Sequence, residues 1–316
     1  MTDPLVNREL WRLEENGSLL DEARDPTAAP LARLYALAAI GTNLDDFFMA
    51  RIPALERAAR DRGQLARRVR ELVDAQRRCF LDELREPLAR DGVVLLAPTD
   101  LTRKQRYLLE ERFLATIFPL LTPLAVGPGH RFPLLGNRSL ALLVCTRPAV
   151  ASALPHSERS IVHLPGQALP RCIPVPDAHR PHCFMLLEDV VRLHLPTICH
   201  GYDIVSSHAI RVTREAGGPS RPARGRRRAM AVRLQVDDQA PSDVLALLRA
   251  ELGLSDDDIH AGAGVVAMSG LAELHAAVVG WRRRRSSSTP RPTAAMRGPG
   301  VAVSHDAGMP ALARRR

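Results

Sequence analysis

Residues 42–52 read T-N-L-D-D-F-F-M-A-R-I, and the amide of Asn43 sets a hydrogen-bond donor and an acceptor side by side. Two readings of it stay open. It is a capping or surface amide of a helix, or an amide that pairs with the edge of a nucleobase, where complementary donor and acceptor groups also lie together. Thr42 stands three residues before Asp45. That spacing predicts a capping box, with Asp45 and Asp46 in the first helical turn and Asn43 at the first helical position. Leu44, Phe48, Ile52 and Leu55 then form one apolar face, and Pro53 is expected to kink the helix.

Other chemistry-bearing residues carry less. His179, His182, Cys183, His194, Cys199 and His200 are zinc-type ligands, but their spacing matches no standard finger or ribbon, and they read as interior cysteines and surface histidines. G-A-G-V-V-A from residue 262 lacks the preceding apolar strand of a dinucleotide fingerprint and reads as a loop. A phosphate-binding G-x-x-x-x-G-K-[ST] loop is excluded, because the only lysine is Lys104, in L-T-R-K-Q-R. Glu188 and Asp189 are helix neighbours that point apart, which suits helix-start acids better than a catalytic pair.

The formal charge of +9 suggests a polyanion partner until it is located: residues from 276 onward carry nine arginines and one acid, leaving residues 1–275 nearly neutral. The arginine runs at 226–228 and 282–285 read as solvated stretches, and no specific nucleic acid is expected as partner. Five cysteines without a C-x-x-C pair, and a start M-T-D-P-L-V-N-R-E-L unlike a signal peptide, point to a reducing, cytoplasmic setting. No stretch has the ~20 apolar residues of a membrane helix.

The elements that must position these groups divide at about residue 119. Before it, helices are expected at Pro30–Ile40, from Thr42, over about 65–84 (Leu65, Val69, Leu72, Val73, Phe80 and Leu84 on one face) and from Thr102 to Phe118, which makes a bundle over 1–118. After it, S-L-A-L-L-V-C-T, S-I-V-H-L-P, D-I-V-S-S-H-A-I-R-V-T and A-M-A-V-R-L-Q-V read as strands, and F-M-L-L-E-D-V-V-R-L-H-L and S-D-V-L-A-L-L-R-A-E-L as helices. The fold class is therefore α+β and multi-domain: a helical N-terminal domain, an α/β domain over 119–279, and a disordered Arg-rich tail over 280–316. The segment E-A-G-G-P-S-R-P-A-R-G-R-R-R is expected to be an unstructured linker.

N-R-E-L near the start, T-N-L-D-D-F-F-M-A-R-I, H-R-F-P-L-L-G-N-R-S-L-A-L, L-P-R-C-I-P-V-P, F-M-L-L-E-D-V-V-R-L-H-L, G-Y-D-I and A-I-R-V-T-R-E-A follow one another in an order that resembles the N-terminal and head domains of the large bacterial polyphosphate kinases. The resemblance covers roughly residues 5–275. It implies ATP and polyphosphate as substrates, Asn43 as the contact to the ATP base, and a head domain through which protomers associate, hence a homo-oligomer or association with a complete kinase. The phosphate-accepting histidine and the magnesium ligands of that family lie in two further domains of phospholipase-D-like fold. Its H-x-K nucleophile motif has no counterpart here, since Thr102 stands two residues before Lys104. Where the family reads N-R-E-L-S-W-L-x-F-N, this sequence has N-R-E-L-W-R-L-E-E-N, with Arg12 and Glu15 in place of aromatic residues. The expectation is a truncated copy without catalytic residues of its own, inactive alone.

Overall fold

The computed structural model describes residues 4–50, 52, 63–127, 130–149, 159–216, 229–237, 239–262 and 264–287. Helix α1 spans Pro4–Arg24 and α2 spans Pro30–Ala50. Helix α3 (Gly63–Arg78) runs through a π-helical turn, Cys79–Leu84, into α4 (Arg85–Arg90). After the short strand β1 (Val93–Leu95), α5 (Arg103–Arg112) is capped by Thr102, whose Oγ accepts from the Gln105 N–H at 3.2 Å while Gln105 Oε1 accepts from the Thr102 N–H at 3.0 Å.

Pro30 opens α2, as its fixed φ favours. A separate helix starting near Thr42 is not found, which is a correction to the sequence reading: α2 is continuous through Gly41, and Thr42 turns its hydroxyl back to the Ala38 carbonyl at 3.2 Å. Gly41 is there for space rather than for a break. A Cβ on it would lie 2.4 Å from the Ser269 backbone nitrogen, so α2 crosses the short 3₁₀ turn Met268–Gly270 backbone to backbone. Pro53 and the linker residues 217–228 lie outside the described residues.

Two sheets follow. In the first, β1 pairs in parallel with β6 (His182–Leu186), which pairs antiparallel with β5 (Cys172–Pro174). The second has six strands in the order β2-β4-β3-β7-β8-β9, comprising Pro123–Val126, Arg159–Leu164, Ser139–Pro148, Tyr202–Arg214, Ala231–Asp237 and Ile259–Gly262. It is antiparallel except for the β8/β9 pair. Strand β3 is apolar on both faces because both are covered: Leu142 and Val144 join a core with Phe113, Met185 and Val190, whereas Ala141 and Leu143 join Ile210, Leu234 and Leu248. The last of these sits on α8 (Ser242–Leu252), where the pattern places it. The stretch from Phe184, expected to be wholly helical, instead begins in β6; Leu187–Leu193 form a helix, α6, and Leu195 opens the short helix α7 (Leu195–Ile198). A fully buried apolar run does not reveal its period.

The C-terminal helix α9 runs from Leu271 to Ser287, so residues 280–287, expected in the tail, are helical. Its Leu271, Leu274 and Val278 belong to the same core as Leu34, Leu37, Leu44 and Phe48 of α2. Residues up to Val279 form one compact unit.

Replacing Gly41 with Ala forces a methyl group into the Ser269 backbone. The expected loss is about 1–3 kcal/mol, read as a lower urea midpoint at unchanged slope.

Candidate functional site

Two positions apart on α2, Asn43 and Asp45 face different surroundings. Asn43 is exposed toward α1, and its Nδ2 donates to Asn16 Oδ1 at 2.9 Å. Asn16 is buried, and its own Nδ2 donates to the Leu13 carbonyl at 3.4 Å, so the amide that receives Asn43 is itself fixed. Asn43 stands in the middle of the helix, not at its first position, so its amide projects from the side of α2 rather than from a helix N-terminus.

Asp45 is likewise not a first-turn acid, and it is buried. Arg211 on β7 donates to it through both Nη atoms, each at 2.7 Å, and through Nη1 also to Gln235 Oε1 at 2.9 Å. Ser269 Oγ donates to the second carboxylate oxygen at 3.0 Å, and Arg233 Nη1 of β8 stands 3.6 Å from the first. Burial pushes the Asp45 pKa up, but the hydrogen bonds and charge of Arg211, with Arg233 and Ser269, more than reverse this and hold the group ionised below its ordinary value. Arg233 is buried with its guanidinium 4.6 Å from the centre of the Phe48 ring. Its Nε has no hydrogen-bond partner among the described residues. Burial brings its pKa down to about 9 against the pull of Asp45, with Arg211 and Arg77 adding to the fall. His260 also meets the Phe48 ring edge to face at 5.3 Å, and burial followed by the Arg233 charge drives its pKa well below the ordinary imidazole value.

Beside this network opens a cleft of about 870 Å³, lined among others by Met49, Asn137, Arg138, Arg211, Arg214 and Glu273. Its arginines largely serve its walls. Arg214 donates to the carbonyls of Leu135 and Ala229 at 2.7 and 2.8 Å, and Arg171 donates to Ala267 O at 2.6 Å and pairs with Glu188. Asn43 is not among the lining residues.

Glu188 and Asp189 do point apart: Glu188 meets Arg171, while Asp189 Oδ1 accepts from Arg192 Nη1 at 2.7 Å. Burial raises the Asp189 pKa to about 6, with Glu188 adding to the rise and Arg192 opposing it. Among the described residues no three His, Cys, Asp or Glu side chains converge as a metal site, and no helix is long and apolar enough to cross a membrane.

The Asp45 network was missed in the sequence because its partners are 166 to 224 residues away. A signal existed: Asp45 lies within the apolar stripe of α2, and Arg211 and Arg233 interrupt apolar strands at buried positions. Charges there need one another.

The family model of the polyphosphate kinase N-terminal domain matches residues 5–96, and that of the polyphosphate kinase middle domain matches residues 104–217. The polyphosphate kinase of Mycolicibacterium gilvum is 29% identical over 308 residues, covering 86% of this chain and 41% of that protein. That of Streptomyces coelicolor is 30% identical over 298 residues, covering 85% and 39%. The crystal structure of the Porphyromonas gingivalis polyphosphate kinase superposes with a TM-score of 0.69 at 22% identity, covering 92% of this chain and 42% of that one. The chain thus spans about two fifths of the length of the curated relatives it matches.

Two outcomes follow for stability. Asp45→Asn leaves two buried guanidinium groups without their counter-charge, and the expected loss is about 3–5 kcal/mol by chemical denaturation. His260 favours its neutral form in the fold, so its contribution is complete above its unfolded pKa and is lost as pH falls below about 6.5. Asp189, raised to about 6, acts in the opposite sense over the acid side of that value. The difference in melting temperature between the parent chain and His260→Gln should therefore shift in favour of the variant as pH is lowered from 7 to 5.5, roughly the imidazole range.

Proposed function

We propose, on the premise that this chain belongs to the polyphosphate kinase family through its N-terminal and middle domains, that it holds the purine of ATP for transfer of the γ-phosphate to inorganic polyphosphate, with Asn43 as the base contact. The reaction served is ATP + polyphosphate(n) giving ADP + polyphosphate(n+1). The observation that carries the reading is the Asn43 amide. Asn16 takes one of its N–H groups and fixes its plane, leaving the second N–H and the Oδ1 for a ligand. Adenine presents an amino donor beside a ring-nitrogen acceptor, which an asparagine amide matches in pairs.

Phosphoryl transfer depends on cationic groups and metal ions around the phosphates and on a nucleophile in line with them. Among the described residues no three His, Cys, Asp or Glu side chains converge to supply such a metal. The role proposed for these residues is that of a platform that grips the nucleotide. The buried Asp45 network serves that platform indirectly, by fixing α2 against the sheet from which Arg211 and Arg233 come.

A second reading is an assembly partner of a complete polyphosphate kinase. It draws on Tyr107, Leu114 and Phe118, which are exposed along α5 and its continuation at spacings of seven and four residues, and on exposed Leu120 and Leu124 just beyond. Such a run of apolar side chains fits a partner surface better than solvent.

Calorimetric titration of the purified chain with ATP tests the first reading. Asn43→Ala should weaken binding on the order of tenfold, about 1.4 kcal/mol, and unchanged affinity would sink it. For the second, the chain and a full-length polyphosphate kinase mixed at micromolar concentration should co-elute, and Leu114→Asp should separate them; independent elution of the unmodified pair, with the chain itself monomeric, removes that reading.

A further inference from the structure

Strand β7 carries a polar cluster that the nucleotide reading leaves unused. Ser206 and His208 stand two residues apart on one face of the strand, and Asp237 ends the neighbouring strand β8. His208 Nδ1 lies 3.1 Å from Asp237 Oδ1, and His208 Nε2 lies 2.9 Å from Ser206 Oγ. We propose that Ser206 is an activated nucleophile, held by His208 and Asp237, that takes up an acyl or phosphoryl group from a small ester bearing a good leaving group.

The direction of the two hydrogen bonds follows from what each group can do. An ionised carboxylate only accepts, so the proton on the imidazole sits on Nδ1. In the neutral ring Nε2 is then an acceptor, and the Ser206 hydroxyl must donate to it. This is the order of roles by which a serine is activated. Asp237 is held in place independently: its Oδ2 accepts from the Ala209 backbone N–H at 2.8 Å and from Arg192 Nη2 at 3.2 Å. His208 is buried, which keeps water from competing for its nitrogens, while Ser206 is partly exposed and reachable.

In the reaction, Ser206 Oγ attacks the electrophilic carbon or phosphorus as its proton passes to His208 Nε2. The new bond to Oγ forms, the bond to the leaving group breaks, and the leaving group departs with the electron pair and recovers the proton from the imidazolium. An alkyl fluorophosphonate reports the same step, with a P–O bond made, a P–F bond broken and fluoride released. Cys145 is the cross-strand neighbour of Ser206 and is a free thiol, so the position of any adduct has to be mapped.

The full chain is treated with an alkyl fluorophosphonate at neutral pH, and the adduct is located by peptide mass spectrometry. The expected result is modification of Ser206, absent in Ser206→Ala, abolished in concentrated urea, and slowed about 100-fold or more in His208→Gln, the range for loss of a general base. Asp237→Asn, which would reverse the preferred imidazole tautomer, should slow it as well, with the melting temperature of each variant showing that it is folded. No adduct on Ser206 of the native chain, or an adduct that forms as fast in urea, overturns the proposal whether or not the variants fold. Labelling at an equal rate in folded His208→Gln does the same.

Discussion

The Asp45 carboxylate is the counter-charge for two guanidinium groups that would otherwise be buried alone. Arg211 reaches it from β7 and Arg233 from β8, while Ser269 reaches it from the turn preceding α9. Three separate parts of the chain therefore depend on one side chain of α2. Removing any pair of unlike charges from water is costly, and the cost is met only when geometry and hydrogen bonds are all in place. Asp45 thus ties the helical region and the six-stranded sheet into one arrangement, and Gly41, one turn earlier, supplies the close backbone approach that brings Ser269 within reach.

Much of the fold was legible in the residues. Strands β3, β4, β7 and β8 and helix α8 fall where alternation, apolar runs and turn residues place them, because each is a local pattern with a local cause. The errors lie where local rules had a tertiary competitor. Thr42 and Asp45 have the spacing of a helix start, yet continuity of α2 wins because its apolar face on both sides of Gly41 packs into one core with α9. Phe184 and Met185 look helical beside L-E-D-V-V, but both flanks of β6 are taken by strands, and pairing decides. Asp45 could be read as a helix acid and not as a network centre, since nothing within a short window marks Arg211 or Arg233 as its partners.

The candidate nucleotide contact shows the same division. Asn43 was singled out by its amide, and its neighbour Asn16 belongs to N-R-E-L-W-R-L-E-E-N, the other early stretch shared in pattern with the family. The structure joins the two stretches through one hydrogen bond. The departures in that first stretch are also accommodated locally: Arg12, standing where the family has an aromatic residue, lies 3.7 Å from the buried Glu9 carboxylate, and Glu15 faces solvent.

Among the described residues the six-stranded sheet ends at β2, which is four residues long and begins with Pro123. Proline brings no N–H to its outer margin, so a foreign strand meets an interrupted ladder there. Brevity and that missing donor together discourage fibrillar stacking of copies through the sheet, even though apolar Leu124 sits on the same margin.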